Sequence, residues 1–177
     1  MAASFLQILS WGFGWIYFLC WSCSFYPQAI LNIRRKSTSG TTIDFPSINL
    51  LGFLAYFVSN AAFLFSTQIR YEYALRHHGL TPTVEINDLA FAGHAVILTA
   101  ITLSQYLSTT IWGFDKRGRL EHGVRMSSWV KGIIVGGFLG VGIVALIVSV
   151  RHDEDLKKGW AWIDVVSISG NDVYDLC

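Results

Sequence analysis

Four long stretches without a charged side chain divide this sequence: residues 1–33, 45–69, 89–114 and 132–150. Each reaches the roughly 17–25 residues that a helix needs to cross the hydrocarbon layer of a bilayer. They predict four membrane-spanning helices at about residues 10–33, 45–67, 89–112 and 131–150, and hence an all-α membrane protein. The first stretch lacks a basic start and is too long and aromatic for the apolar core of a signal peptide, so it reads as a retained helix. Polar islands separate the stretches, and after Lys158 the chain is a short, mixed and acidic tail that is too polar to span.

Composition agrees with that pattern. Hydrophobic residues make up 53% of the chain and charged ones 14%, with a mean hydropathy of +0.45; soluble domains carry about 25% charged residues. A net charge of +1 gives no basic field for nucleic acid, leaving the lipid bilayer as the partner that composition implies.

The distribution of the charges sets an orientation. Arg34, Arg35 and Lys36 follow the first span, and Lys116, Arg117, Arg119, Arg125 and Lys131 follow the third. Between the second and third spans, Arg70 and Arg76 are outnumbered by Glu72, Glu85 and Asp88. Because basic loops stay in the cytosol, the N-terminus, the segment 68–88 and the region after Val150 are expected on the luminal or external side. His77 and His78, with Tyr71, Tyr73 and Arg76, are expected in a solvated luminal loop.

Chemistry is sparse and confined to the spans. Pro27 lies inside the first, where proline deletes a backbone hydrogen bond and costs about 3 kcal/mol or more. No water is at hand in lipid to satisfy the freed carbonyl. Gln28 supplies an amide beside it, and the pair reads as a hinge. Tyr17 and Trp21 stand four residues apart on one face of the same helix, away from its ends. Asn49, Asn60, His94 and Gln105 are polar groups at membrane depth, each either a functional residue or an interhelical hydrogen bond worth about 0.6 kcal/mol. Asn49 stands out because Gly52 and Phe53, on the next turn, offer a small residue and a ring beside an amide. Asp88 opens the third span and has two readings: a first-turn acid with Asn87 as its N-cap, or a carboxylate that takes up a proton at the membrane boundary. Cys20 and Cys23 read as packed thiols, and Gly132, Gly136 and Gly140 as a stripe for close helix contact. The sequence shows no phosphate-binding loop, nucleophile–base set or metal-ligand cluster, so no enzyme, cofactor or metal is expected.

Taken together, several segments resemble the PQ-loop family and, within it, its cystine-transporting branch of lysosomes and vacuoles. They are Gly14-Trp15-Ile16-Tyr17-Phe18, Trp21-Ser22, Ser24-Phe25-Tyr26-Pro27-Gln28, Asn32 and Arg34-Arg35-Lys36-Ser37. The likeness continues in Asp44-Phe45, Asn49-Leu50, Gly52-Phe53, Ala55-Tyr56, Asn87-Asp88, His94-Ala95-Val96 and Leu98-Thr99, and covers roughly residues 11–150. It implies a first PQ-loop three-helix repeat at residues 1–115, a cytosolic loop and fourth linker helix at 116–150, and a divergent polar tail at 151–177 where the family continues into a second repeat. It also implies proton-coupled export of L-cystine, with Pro27 and Gln28 as the hinge, Tyr17, Trp21, Asn49 and Phe53 lining the substrate path, and Asp88 in the proton pathway. On this reading the chain is an incomplete form of such a carrier. The alternatives are a half-transporter that self-associates to carry another small solute, and a membrane receptor or scaffold that does not transport.

Overall fold

A computed structural model describes residues 5–114, 125–150 and 162–170. Its elements are α1 (Phe5–Arg35), α2 (Asp44–Phe65), α3 (Thr67–Arg76), α4 (Ile86–Leu107), α5 (Thr109–Trp112), α6 (Ser128–Val150) and α7 (Trp162–Gly170). Every regular element among the described residues is a helix, and four of them are long and apolar enough to cross a membrane. They are the four that the charge-free stretches predict. The basic residues Lys116, Arg117 and Arg119, the tail stretch 151–161 and Tyr174 lie outside the described residues.

Two boundaries differ from expectation. The third span ends at Leu107 rather than near 112, because Ser108 leaves helical geometry (φ −120°, ψ 60°) while its N–H still reaches the Ser104 carbonyl. The indole N–H of Trp112 then folds back onto Ser104 Oγ at 3.1 Å. The segment 68–88, expected as a loop, begins with α3, so Tyr71, Tyr73 and Arg76 are helical. Its start is fixed by Ser66, whose hydroxyl accepts the Ile69 N–H at 3.4 Å, one of the donors a helix start leaves unpaired.

Packing places α4 between α1 and α2, in contact with both. α1 and α4 run parallel, so their contacts rise together along the two sequences: Gly14 with Asn87, Tyr17 with Phe91, Phe18 with His94, and Asn32 with Gln105. α2 runs the opposite way. α1 ends where Lys36 takes a left-handed conformation (φ 49°), with the Ser37 N–H closing on the Asn32 carbonyl at 3.2 Å. At that same end Asp44 accepts the backbone N–H of Ser127 at 2.8 Å and also its hydroxyl, so α2 and α6 start side by side.

α6 packs on α2 and α7. The glycine stripe expected to make that contact does not. A methyl added at Gly132, Gly136 or Gly140 would meet nothing within 4 Å, whereas at Gly137 it would lie 3.8 Å from Leu51. The contact therefore falls on the next face of the helix.

The opposite end is closed by α7. Ile163 and Val166 join Phe63 and Ile69 in a buried cluster against Ala62, Tyr73 and Val84. Glu72, only 1% exposed, accepts from Gln68 Nε2 at 2.8 Å and from the Ile163 N–H at 2.9 Å, at the start of α7. A carboxylate there neutralises a free N–H and favours the positive helix end. Arg76 holds Asp164 through its two terminal guanidinium nitrogens, Nη1 and Nη2, at 2.6 and 2.9 Å.

Candidate functional site

α1 continues as a helix through Pro27, which cannot donate to the Cys23 carbonyl one turn earlier. Amides gather directly beyond it. Gln28 Nε2 donates to Asn32 Oδ1 at 2.9 Å, Asn32 Nδ2 donates to Gln105 Oε1 at 2.8 Å, and Gln105 Nε2 donates to the Ala29 carbonyl at 3.2 Å. Gln105 is fully buried and Asn32 nearly so, and removal of one partner from such a set costs about 1–3 kcal/mol for each group left unpaired. On the other side of the proline, the Tyr26 hydroxyl and His94 Nε2 share a hydrogen bond at 2.9 Å, and their rings lie 5.6 Å apart. Pro27 is therefore bracketed by polar contacts to α4.

Three of the four residues assigned to the substrate path meet in one aromatic group nearer the start of α1. Tyr17 and Trp21 are neighbours at 6.1 Å between ring centroids, and Tyr17 reaches Phe91 at 5.8 Å. Phe53 lies 6.1 Å from Phe91 and 5.3 Å from Phe25, so Phe91 and Phe25 join α1, α2 and α4. The edge-on geometry of Phe53 against both rings is the favoured one for aromatic pairs. Phe91 is buried, whereas Tyr17 and Trp21 remain 52% and 51% exposed and turn an aromatic wall outward. Asn49 is half-buried, one helical turn before Phe53 and on the same face of α2. Beside it, a methyl at Gly52 would meet nothing within 4 Å.

Asp88 is half-buried in the first turn of α4, and its Oδ2 accepts the Glu85 N–H at 2.9 Å. The N-cap is Glu85, not Asn87. Asn87 is instead buried against α1, where a methyl at Gly14 would come within 2.1 Å of its Nδ2. Phe91 follows Asp88 by one turn, so the carboxylate borders the aromatic group through α4 itself.

Among the described residues, Asn87 Oδ1, Ser22 Oγ, Trp15 Nε1, His94 Nδ1 and Asn60 Nδ2 are buried without a hydrogen-bond partner. The interhelical bond expected for polar groups at membrane depth is present for Gln105 and His94, and Asn60 Nδ2 lacks one. Cys20 and Cys23 are free and exposed on α1 rather than packed, because α1 meets α4 along another face. Phe91 and the partnership of Asn32 with Gln105 are the site features that the sequence did not single out; Phe25 and Asn32 stood only among the residues of the family resemblance, and Gln105 only as an amide within an apolar run.

Residues 9–69, which hold most of α1, all of α2 and the start of α3, match the PQ loop repeat. The chain is 40% identical over 132 residues to a cystinosin homolog of Dictyostelium discoideum, covering 75% of this chain and 46% of that protein. It is 42% identical over 106 residues to cystinosin of Bos taurus, covering 59% and 29%. A cystine transporter of Saccharomyces cerevisiae is 25% identical over 123 residues, covering 69% and 45%. The chain thus spans less than half the length of these curated relatives.

Proposed function

For a chain that carries a PQ-loop repeat and is similar to cystinosins, we propose a part in proton-coupled transport of L-cystine out of an acidic organelle, a lysosome or vacuole. The observation that carries this reading is the joining of Tyr17, Trp21 and Phe53 around Phe91, with Asn49 one turn away. Cystine presents two ammonium groups, two carboxylates and an apolar disulfide. Aromatic faces attract the cations and make favourable contacts with sulfur, and the Asn49 amide pairs with a carboxylate or ammonium.

In this reading α1, α2 and α4 form the first three-helix repeat and α6 is the linker helix. Asp88 takes up the luminal proton, with Oδ2 engaged by the Glu85 N–H. Pro27 and Gln28 form the hinge, because the helix lacks one internal bond there and an amide network lies directly beyond it.

Uptake of labelled cystine into proteoliposomes under an imposed proton gradient tests the proposal. Accumulation that collapses when a protonophore dissipates the gradient supports it. A chain inserted in the bilayer that moves no cystine, with or without the gradient, overturns it.

A further inference from the structure

Beyond Pro27, the hydrogen bonds from α1 to α4 run through one side chain among the described residues. Gln105 accepts from Asn32 Nδ2 at 2.8 Å and donates to the Ala29 carbonyl at 3.2 Å, with no surface exposed. The remaining residues of that stretch offer α4 little: Ile30, Leu31 and Ile33 are exposed, and Gln28 is bonded within α1 to Asn32. Before the proline, contact with α4 is dense and mostly aromatic, from Gly14 against Asn87 to Tyr26 against His94. Gln105 lies about three turns beyond His94 at 3.6 residues per turn, so α4 grips α1 on both sides of the hinge in two different ways. The first grip is a packed seam. The second is a two-bond clasp.

We propose that Gln105 is a positioning residue for the hinge: its carboxamide clasps the segment of α1 beyond Pro27 to α4, and swinging that segment requires both of its hydrogen bonds to break. The asymmetry decides which half moves. An aromatic seam distributes its attraction over many atoms and gives way gradually, whereas two directional bonds weaken steeply once misaligned. Of the groups freed on the moving side, Asn32 Nδ2 stays beside the Gln28 carboxamide, whose Nε2 donates to Asn32 Oδ1. The inference rests on the transport reading only for what the motion serves; the clasp itself is a property of α1 and α4.

The test is a distance measurement between nitroxide labels on Arg34→Cys and Leu107→Cys, both exposed at the ends of α1 and α4. It is made in the full chain in liposomes, with Cys20, Cys23 and Cys177 changed to Ser. The parent is expected to give one narrow distance population. Gln105→Leu is expected to add a second population at longer distance. Asn32→Leu with Gln105→Leu removes both amides together, which lightens the cost of an unpaired group, and is expected to show the same second population. Where Gln105→Leu alone does not fold, the double variant gives the reading. Retention of the parent's single narrow population in the folded variants overturns the clasp, as does a parent that is already broad. Cystine uptake measured on the same samples separates the two claims. A second population without cystine flux in any sample leaves the clasp standing and removes the transport reading. Flux in the parent with unchanged distances in both variants does the reverse.

Discussion

At the scale of single residues, the seam between α1 and α4 depends on a missing side chain. Gly14 lets Asn87 lie against the backbone of α1, and a methyl there would fall 2.1 Å from Nδ2 and 3.3 Å from Cγ of that side chain. Asn87 is buried and short, so it has little room to withdraw. Gly14→Ala is therefore expected to destabilise the chain by about 1–3 kcal/mol, the usual range for overpacking. Thermal denaturation in detergent checks this, and Gly14→Ala with Asn87→Ala should recover most of the loss. No recovery would mean that the cost does not come from the contact with Asn87, since alanine suits a helix interior better than glycine. Gly93 is the milder case: its added methyl would sit 3.2 Å from the Phe57 ring edge, which needs to yield by only a few tenths of an ångström. Neither contact is legible in the sequence, because glycine in an apolar run carries no mark of which neighbour it admits. The polar side chains fared better. Gln28, His94 and Gln105 announce themselves as polar groups in lipid, but that Asn32 and Gln105 meet is a fact of helix register, which composition does not encode.

At the scale of elements, Pro27 sets two properties of α1 against each other. Pro27→Ala restores the amide that bonds the Cys23 carbonyl, and an interior proline costs a helix about 3 kcal/mol. The variant is expected to raise the melting temperature and to lower the rate of cystine uptake, because a continuous helix resists bending. An unchanged melting temperature would mean that neighbouring groups already offset the missing bond. α7 gives a second expectation. The Arg76–Asp164 pair is bidentate and only about one-quarter exposed on each side, so removing the Asp164 charge leaves a largely buried guanidinium poorly paired and should cost about 1–3 kcal/mol. Glu72→Ala strips the bond from the Ile163 N–H and leaves Gln68 Nε2 without an acceptor, and should cost about 1–3 kcal/mol. Hydrogen exchange of residues 162–170 reads both: exchange faster than the parent's is expected in Glu72→Ala and in Asp164→Asn. The four long helices were legible because absence of charge over a membrane's thickness is a local property. α3 and α7 were not. α3 is short and polar, fixed by its Ser66 cap and by burial of Ile69 and Glu72, and α7 owes its place to a carboxylate far back in the chain.

At the scale of the whole molecule, the two ends of the bundle differ in a way that matches the charge pattern. One end gathers Arg34, Arg35 and Lys36 after α1 with the Asp44–Ser127 junction, where α2 and α6 begin. The other gathers Glu72, Arg76, Asp164 and Asp88. The long helices between expose Ile, Leu, Val and Phe side chains that would be costly in water and that suit a lipid surface. The arrangement of α1, α2, α4 and α6 sets which loops share a side, and the basic-loop rule predicts which of the two sides faces the cytosol. Single cysteines test that orientation in sealed organelle vesicles whose cytosolic face is outward. With the native cysteines changed to Ser, Ser37→Cys after α1 is expected to react with a membrane-impermeant maleimide before permeabilisation, and His78→Cys beyond α3 only after it. Equal labelling of both would mean mixed insertion, and the reverse pattern would put Asp88 on the cytosolic side. Asp88 would then lie away from the acidic lumen, and a luminal proton would have to enter by another residue. The topology experiment therefore bears on the proton pathway before any flux is measured.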